Sequence, residues 1–303
     1  MPATVEPSLP VSKAAVPRSS DNVGRLIVTG ADRPGIVAAV SGIMFEFGAN
    51  IMTLDQYSTD AEGGRFFQRT VFDLPDFRAR RPDLETALAT RLGEELGLEW
   101  KLSSARQLKR VAIFASKSDH CLLELLWRHR RGELEMDVAM VVSNHSDLAD
   151  DVRQFGIPFL HVPVSGDKKD AEAEHLRLLK GNVDLVVLAR YMQIISDEFL
   201  QEVGVPVINI HHSFLPAFIG AAPYKKAKDR GVKLIGATAH YVTKDLDEGP
   251  IIEQDVARVT HAQTATDLTR YGADVERQVL ARAVQWHCED RVLRDGNATV
   301  VFK

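Results

Sequence analysis

The chain has 303 residues, 45% of them hydrophobic, which is enough to bury a large core and suits two domains better than one. Its 37 Lys and Arg against 42 Asp and Glu leave a net charge of -5, so it offers no general attraction to nucleic acid or to an anionic membrane. Its two cysteines, Cys121 and Cys288, lie outside any CxxC pattern and predict neither a disulfide framework nor a cysteine zinc site.

Residues 1–22, ending in Val16-Pro17-Arg18-Ser19-Ser20-Asp21-Asn22, are rich in Pro, Ser and Ala and are expected to form a mobile tail. They contain no apolar stretch of signal-peptide length, and no segment of the chain approaches roughly 18 uninterrupted apolar residues. A soluble cytoplasmic protein is expected.

From Gly24 the pattern reads strand, helix, strand, strand, helix, strand. Leu26-Ile27-Val28 opens it, and Asp32-Arg33-Pro34-Gly35 turns into a helix in which proline would occupy the first turn. Ile36, Val40, Ile43 and Phe47 recur at helical spacing, and Gly48 is placed to stop the helix before a strand from Ile51 to Tyr57. Gly63-Gly64 predicts a hairpin into Phe66 to Phe72. Leu84, Leu88, Leu92 and Leu96 form an i, i+4 stripe predicting one continuous helix, and Trp100 to Leu102 closes the sheet. This βαββαβ order, with its Asp-Arg-Pro-Gly turn and a helix ending in Gly-Ala-Asn, resembles the ACT domains that sense small ligands. The resemblance covers residues 23–105 and implies an amino-acid regulator near Asp32, Pro34, Gly35 and Asn50. The alternative is that Pro34 and Gly35 only shape a turn and Asn50 only caps a helix.

Residues 106–303 form the second expected domain. Apolar runs at Val111 to Ala115, Val138 to Val142, Phe159 to Val162 and Leu185 to Leu188 alternate with helical stretches, which implies an open, mostly parallel, Rossmann-like α/β sheet. Active sites in such sheets lie beyond the carboxyl ends of the strands. A long helix is expected from about Ala265 to Asp290, with Leu268, Tyr271, Val275, Val279 and Leu280 facing the core. Arg294-Asp295-Gly296-Asn297 predicts a terminal hairpin that closes the domain or pairs with a second subunit. Tyr224, Lys225 and Lys226 read as part of a solvated helix.

The residues suited to chemistry gather after two later strands. Val207-Ile208-Asn209-Ile210-His211 puts an amide and an imidazole on one strand face, with His212 expected on the other. Gly236 to Val242 is a further strand, followed by a loop in which Asp245, Asp247 and Glu248 compete for a catalytic role. Adjacent His211 and His212 should diverge rather than chelate, and no HExxH-like spacing occurs, so no metal is expected. His240 either supports the carboxylate or is a satisfied core histidine.

The string Ile208 to Pro216, then Phe218-Ile219-Gly220-Ala221 and Pro223-Tyr224, then Gly231 to Tyr241, resembles the folate-dependent formyltransferase superfamily, and within it the formyltetrahydrofolate deformylase branch. The resemblance implies Asn209, His211 and Asp247 as catalytic residues. It places the family's pterin-holding segment on Arg190-Tyr191-Met192-Gln193-Ile194-Ile195, with Leu188, Arg190, Met192, Gln193, Ile194, His240 and Gly249 against the folate. Superfamily members that act on a phosphorylated amine grip the phosphate with a glycine-rich turn after the first strand; here that turn is Ser116-Lys117-Ser118-Asp119-His120, without glycine. His212 stands where the related transferases commonly have proline, and is expected either to order water or to serve structure. The implied function is hydrolysis of 10-formyltetrahydrofolate to tetrahydrofolate and formate, without a prosthetic group, in a homo-oligomer (dimer or tetramer) that engages neither nucleic acid nor membrane. Formyl transfer to an amine and non-catalytic ligand sensing are the alternatives.

Overall fold

The computed structural model describes residues 21–60, 62–164, 168–216 and 223–303. The expected tail up to residue 20 and the Phe218 to Ala221 string lie outside the described residues. Two compact units divide the chain, the first ending at Gln107 and the second running from Leu108 to Lys303.

The first unit comprises β1 (Val23–Ala31), α1 (Ile36–Glu46), β2 (Asn50–Ser58), β3 (Arg65–Asp73), α2 (Phe77–Leu88) and β4 (Glu99–Ser104), in the expected βαββαβ order. Its antiparallel sheet has the order β2-β3-β1-β4. Leu26, Val28, Ile36, Val40, Ile43, Phe72, Leu84 and Leu88 make the core between sheet and helices. Gly48 ends α1 at φ 64, where its N–H donates to Phe45 and that of Ala49 donates to Met44, a Schellman pairing that uses glycine's left-handed freedom.

Two local expectations change. Pro34 lies in the turn before α1, because Gly35 at φ 97 is the N-cap and helical geometry begins only at Ile36. The leucine stripe is not one regular helix: after Leu88 the chain widens into π-helical turns over Ala89–Glu94, with Glu95 N–H donating to Thr90, and Leu96 falls beyond them, only partly buried. Asn22 also belongs to the folded unit, its carbonyl accepting from Leu74 N–H.

The second unit contains β5 (Lys109–Ala115), α3 (His120–Arg130), β6 (Met136–Ser143), α4 (Ala149–Arg153), β7 (Phe159–His161), α5 (Lys168–Leu179), β8 (Leu185–Ala189), α6 (Asp197–Val203) and β9 (Val207–His211). Then come α7 (Pro223–Arg230), β10 (Leu234–Tyr241), β11 (Ile251–Arg258), α8 (Ala265–Cys288), β12 (Val292–Asp295) and β13 (Ala298–Val301). A seven-stranded sheet runs β11-β10-β9-β8-β5-β6-β7; β5 to β9 are parallel, and β10 and β11 turn antiparallel. Side chains of the central strands are buried on both faces, as a parallel sheet covered by helices requires. Strand order reverses between β5 and β8, and the crevice beyond their carboxyl ends is the natural ligand position. β11 was not expected from sequence, because its polar run Glu253-Gln254-Asp255 suits an edge strand and gives no apolar alternation. Thr264 and Asp267 form a reciprocal capping box that fixes the start of α8.

Candidate active site

Asn209 and His211 stand at the carboxyl end of β9, two residues apart and on one face. β10 pairs antiparallel with β9 in a register that sets His240 opposite Asn209 and Thr238 opposite His211. Opposed residues of an antiparallel pair share a face, so the pairing adds a second imidazole to the same corner. His240 Nε2 lies 3.3 Å from Asn209 Nδ2, while its Nδ1 lies 3.0 Å from the Tyr241 carbonyl. Asp247 arrives from the loop after β10: its Oδ2 is 3.2 Å from His211 Nδ1 and its Oδ1 is 3.6 Å from His240 Nε2. The His211 hydrogen bond, and then that of His240, hold the Asp247 carboxyl far below the usual carboxylate range, although burial opposes them. His211 Nε2 is buried without a protein partner.

Backbone geometry fixes this carboxylate. Asp247 has φ 60, a left-handed conformation uncommon for a side chain that bears a Cβ. Tyr241 N–H donates to Pro250, closing the loop at its base, and Asn297 Nδ2, in the turn between β12 and β13, donates to the Glu248 carbonyl at 3.0 Å. Gly249, expected against the folate, does not line the cavity. It is buried where a Cβ would stand 1.8 Å from the Tyr241 carbonyl oxygen, so the loop's close approach to β10 requires glycine there.

A cavity of about 700 Å³ opens beside these residues, with Leu188, Arg190, Tyr191, Met192, Gln193, Ile194 and Ile195 lining it together with Val242 to Lys244 and Leu246. Met192 and Ile194 are more than half exposed, an unusual cost for large apolar groups unless a flat apolar ligand covers them. The segment is anchored at both ends. Met192 N–H donates to buried Ser116 Oγ, itself bonded to Asn144, and Ser196 bonds through both its N–H and its hydroxyl to Glu172.

On the cavity wall a polar cluster forms that sequence reading did not assemble. Glu276, 1% exposed, lies on α8; its Oε1 accepts from Tyr224 Oη at 2.5 Å, and its Oε2 is 2.7 Å from His120 Nε2 and 3.4 Å from Arg190 Nε. Burial pushes the Glu276 carboxyl upward, but the His120 hydrogen bond, the Arg190 charge and the Tyr224 hydroxyl together bring it below its ordinary value. Tyr224 is thus a buried donor on α7 and not part of a solvated face, whereas Lys225 and Lys226 are exposed as expected. His212 also departs from expectation. β9 ends at His211, alternation stops there, and the two imidazole centroids are 5.2 Å apart with both rings lining the cavity. Burial, followed by the Arg190 and His211 charges, lowers His212 to about 4, so it is neutral near neutral pH.

One group of potential metal ligands occurs among the described residues: His120, Cys121 and Glu276 offer atoms within 4.8 Å of one another. Arg190 already supplies a cation there, and burial keeps the Cys121 thiol protonated well above its ordinary range, so the donor set fits a metal poorly.

Comparison with known proteins places this geometry. The formyl transferase family matches residues 109–284 and the ACT domain matches residues 24–88. A formyltetrahydrofolate deformylase of Mycobacterium tuberculosis is 58% identical over 298 residues, covering 98% of this chain and 96% of the relative. The chain belongs to the formyltetrahydrofolate deformylase family. A Bacillus subtilis member is 52% identical, covering 93% of this chain and 95% of the relative. The crystal structure of the Pseudomonas syringae pv. tomato member superposes with TM-score 0.87 at 47% identity, covering 93% of this chain and 94% of that one. More distantly, the glycinamide ribonucleotide transformylase 1 of Symbiobacterium toebii matches with TM-score 0.62 at 30% identity, covering 65% of this chain and 95% of that one.

Within this deformylase-family fold, Leu188, Arg190, Met192, Gln193, Ile194, Asn209, His211, His212, His240 and Asp247 all line one cavity. Asp32, Pro34, Gly35 and Asn50 belong to the first unit; Pro34, Gly35 and Asn50 are exposed and Asp32 is half-buried. The missed Glu276 had one available signal, Gly272 inside an otherwise regular helix: a Cβ there would stand 2.0 Å from Tyr224 Oη.

Proposed function

We propose that this protein hydrolyses 10-formyltetrahydrofolate to tetrahydrofolate and formate, adjusting the one-carbon pool that feeds purine synthesis. The observation that carries the reading is the convergence of Asn209, His211 and Asp247 from two strand ends at one cavity, in a chain with near-full-length deformylase relatives. The exposed apolar residues Met192 and Ile194 suit the ring of a folate, with Leu188, Gln193 and the 190–195 backbone beside them. Attack on the formyl carbon builds negative charge on its oxygen, which the Asn209 amide and the His211 imidazole stabilise. Asp247 holds the His211 ring through Nδ1, which leaves Nε2 free for the reacting groups. Its carboxylate also helps take a proton from the attacking water, and that proton ends on the folate nitrogen. Neutral His212 orders the water, and His240 packs its Nε2 between the Asn209 amide and the Asp247 carboxylate.

The test is formate release from pure 10-formyltetrahydrofolate with no amine present. Asp247→Asn should cut turnover by about two to four orders of magnitude, the range of a positioned proton-transfer group. Near-wild-type turnover in that variant would remove Asp247 from the mechanism. Formyl transfer to an amine is the competing reading, kept alive by the 30% identical transformylase; strict dependence of folate turnover on an added amine would favour it.

We further propose that residues 23–105 bind an amino acid near Asp32, Pro34, Gly35 and Asn50 and regulate a catalytic domain of residues 106–303. Glycine is the first ligand to try, because of its link to one-carbon metabolism. The protein would act as a homo-oligomer, dimer or tetramer, in a reducing cytoplasm that suits its two buried free thiols. Among the described residues no helix is long and apolar enough to cross a membrane.

A further inference from the structure

One wall of the cavity is made of charge. Arg190 lines it beside His212 and Tyr224, its guanidinium turned to Glu276, and Arg190 Nε and Nη1 are sealed from solvent without a hydrogen-bond partner. Two backbone irregularities serve this one cluster. Arg190 is held at φ 62, a left-handed conformation that costs a residue bearing a Cβ on the order of 1 kcal/mol. Gly272 sits inside α8, at a cost of roughly 0.5–1 kcal/mol relative to Ala, and its missing Cβ is what admits the Tyr224 hydroxyl to Glu276. A buried ion pair adds little stability over apolar packing of the same volume. Two such irregularities around an ion pair beside the reacting residues call for a functional reason.

We infer that the Arg190–Glu276 pair, buttressed by Tyr224 and His120, is the specificity element that leaves room for water and none for an amine at the reacting carbon. This rests on the hydrolase reading and deepens it. Leu188, Met192, Ile194, Arg190, His212 and Tyr224 line the same cavity. With the folate laid on Leu188, Met192 and Ile194, the Arg190, His212 and Tyr224 side is left for the nucleophile. Water takes up only about 30 Å³. A primary amine carries a carbon substituent that would have to share this space with the Arg190 side chain. In hydrolysis a water oxygen bonds to the formyl carbon and the carbon's bond to the folate nitrogen breaks. One water proton passes to that nitrogen, the other to solvent, and formate leaves. With an amine the new bond is nitrogen to carbon, the same bond breaks, the amine proton passes to the folate nitrogen, and the product is a formamide. Asn209, His211 and Asp247 serve either nucleophile, so the choice belongs to the wall.

The experiment uses the full chain with 10-formyltetrahydrofolate and millimolar glycinamide in mildly alkaline buffer. Formate and N-formylglycinamide are both quantified by mass spectrometry against an enzyme-free blank. Arg190→Gly removes the wedge at a position where glycine suits the backbone, and Arg190→Asn, which also tolerates left-handed geometry, is the second variant. Wild type should yield formate alone. Opening the wall should raise the formamide-to-formate ratio by about tenfold or more, the discrimination that a small change in pocket volume commands. Folded variants that make no more formamide than wild type overturn the proposal. So do variants that lose all folate turnover, or their fold, because Arg190 would then be required by the chemistry or the structure itself. A wild-type enzyme that releases no formate without the amine defeats the hydrolase reading instead.

Discussion

The proposed mechanism gives Asn209, His211 and Asp247 distinct electrostatic tasks, and truncation should separate them. Asn209→Ala removes one positioned donor and should raise the barrier by about 2.7–4 kcal/mol, read as a fall in kcat with little change in KM. An unchanged kcat would take the amide out of the proposed mechanism. Away from this corner, His175 is 1% exposed among Phe114, Tyr191 and Phe199, with neither ring nitrogen partnered, and burial lowers it to about 4. Its folded pKa lies below its unfolded value, so the unfolded chain binds the proton first. Its drain on stability is absent above about pH 6.5, grows as pH falls, and levels off near 4 at about 3 kcal/mol at most. Depressed Asp247 has the same sign in a lower window, its contribution being lost as pH falls below the usual carboxylate range. His175→Leu should therefore flatten the stability profile between pH 6.5 and 4, followed by urea unfolding across that range. A profile parallel to wild type would mean that this imidazole does not titrate in the folded core. The alternation of Asn209 and His211 was legible in sequence because a strand period is fixed. The clustering of His120, Tyr224 and Glu276 was not, since three separate helices supply them and only packing sets their meeting.

At the scale of elements, the Asp247 carboxylate depends on supports outside the cavity. Loop 242–250 is pressed against β10 at Gly249 and held from outside by Asn297 in the terminal hairpin, where Thr299 Oγ1 also donates to the Ile251 carbonyl at 2.6 Å. Gly249→Ala would force the loop outward, because a Cβ 1.8 Å from a backbone oxygen leaves no local adjustment. Displacement of a catalytic group by about 1 Å costs roughly a hundredfold in rate, so turnover should fall by about that factor while circular dichroism stays native. Asn297→Ala deletes a single exposed hydrogen bond worth at most about 1 kcal/mol and should lower kcat only severalfold. If the two substitutions are equally mild, Asp247 is placed by its own imidazole partners. The hairpin itself was readable from Arg294-Asp295-Gly296-Asn297, but its use as a clamp was not, because Glu248 and Asn297 are 49 residues apart. The parallel strands announced themselves as apolar runs, whereas polar β11 and the π-helical turns after α2 follow from pairing and packing that leave no periodic trace.

At the scale of the whole molecule, what matters for assembly is the sheet edge that the first unit presents. β2 is an edge of its sheet, and Met52, Leu54 and Tyr57 on that strand are more than a third exposed; Phe45 at the end of α1 is 83% exposed. An uncovered strand edge bearing large apolar side chains is a template for pairing, and stable monomers usually blunt such edges with charge or proline. Thr53, Asp55 and Gln56 interrupt the apolar residues on β2, but no proline does. A homo-oligomer that covers this edge is therefore expected, with a mass of at least twice 33.6 kDa by size-exclusion light scattering at micromolar concentration. Leu54→Lys, which sets a charge on the edge, should shift the assembly toward smaller species. It should leave kcat for formate release within about twofold, since every residue lining the cavity comes from the second unit. A wild-type particle of 33.6 kDa would show that β2 stays open in solution, and an unaltered assembly in the variant would move the interface elsewhere.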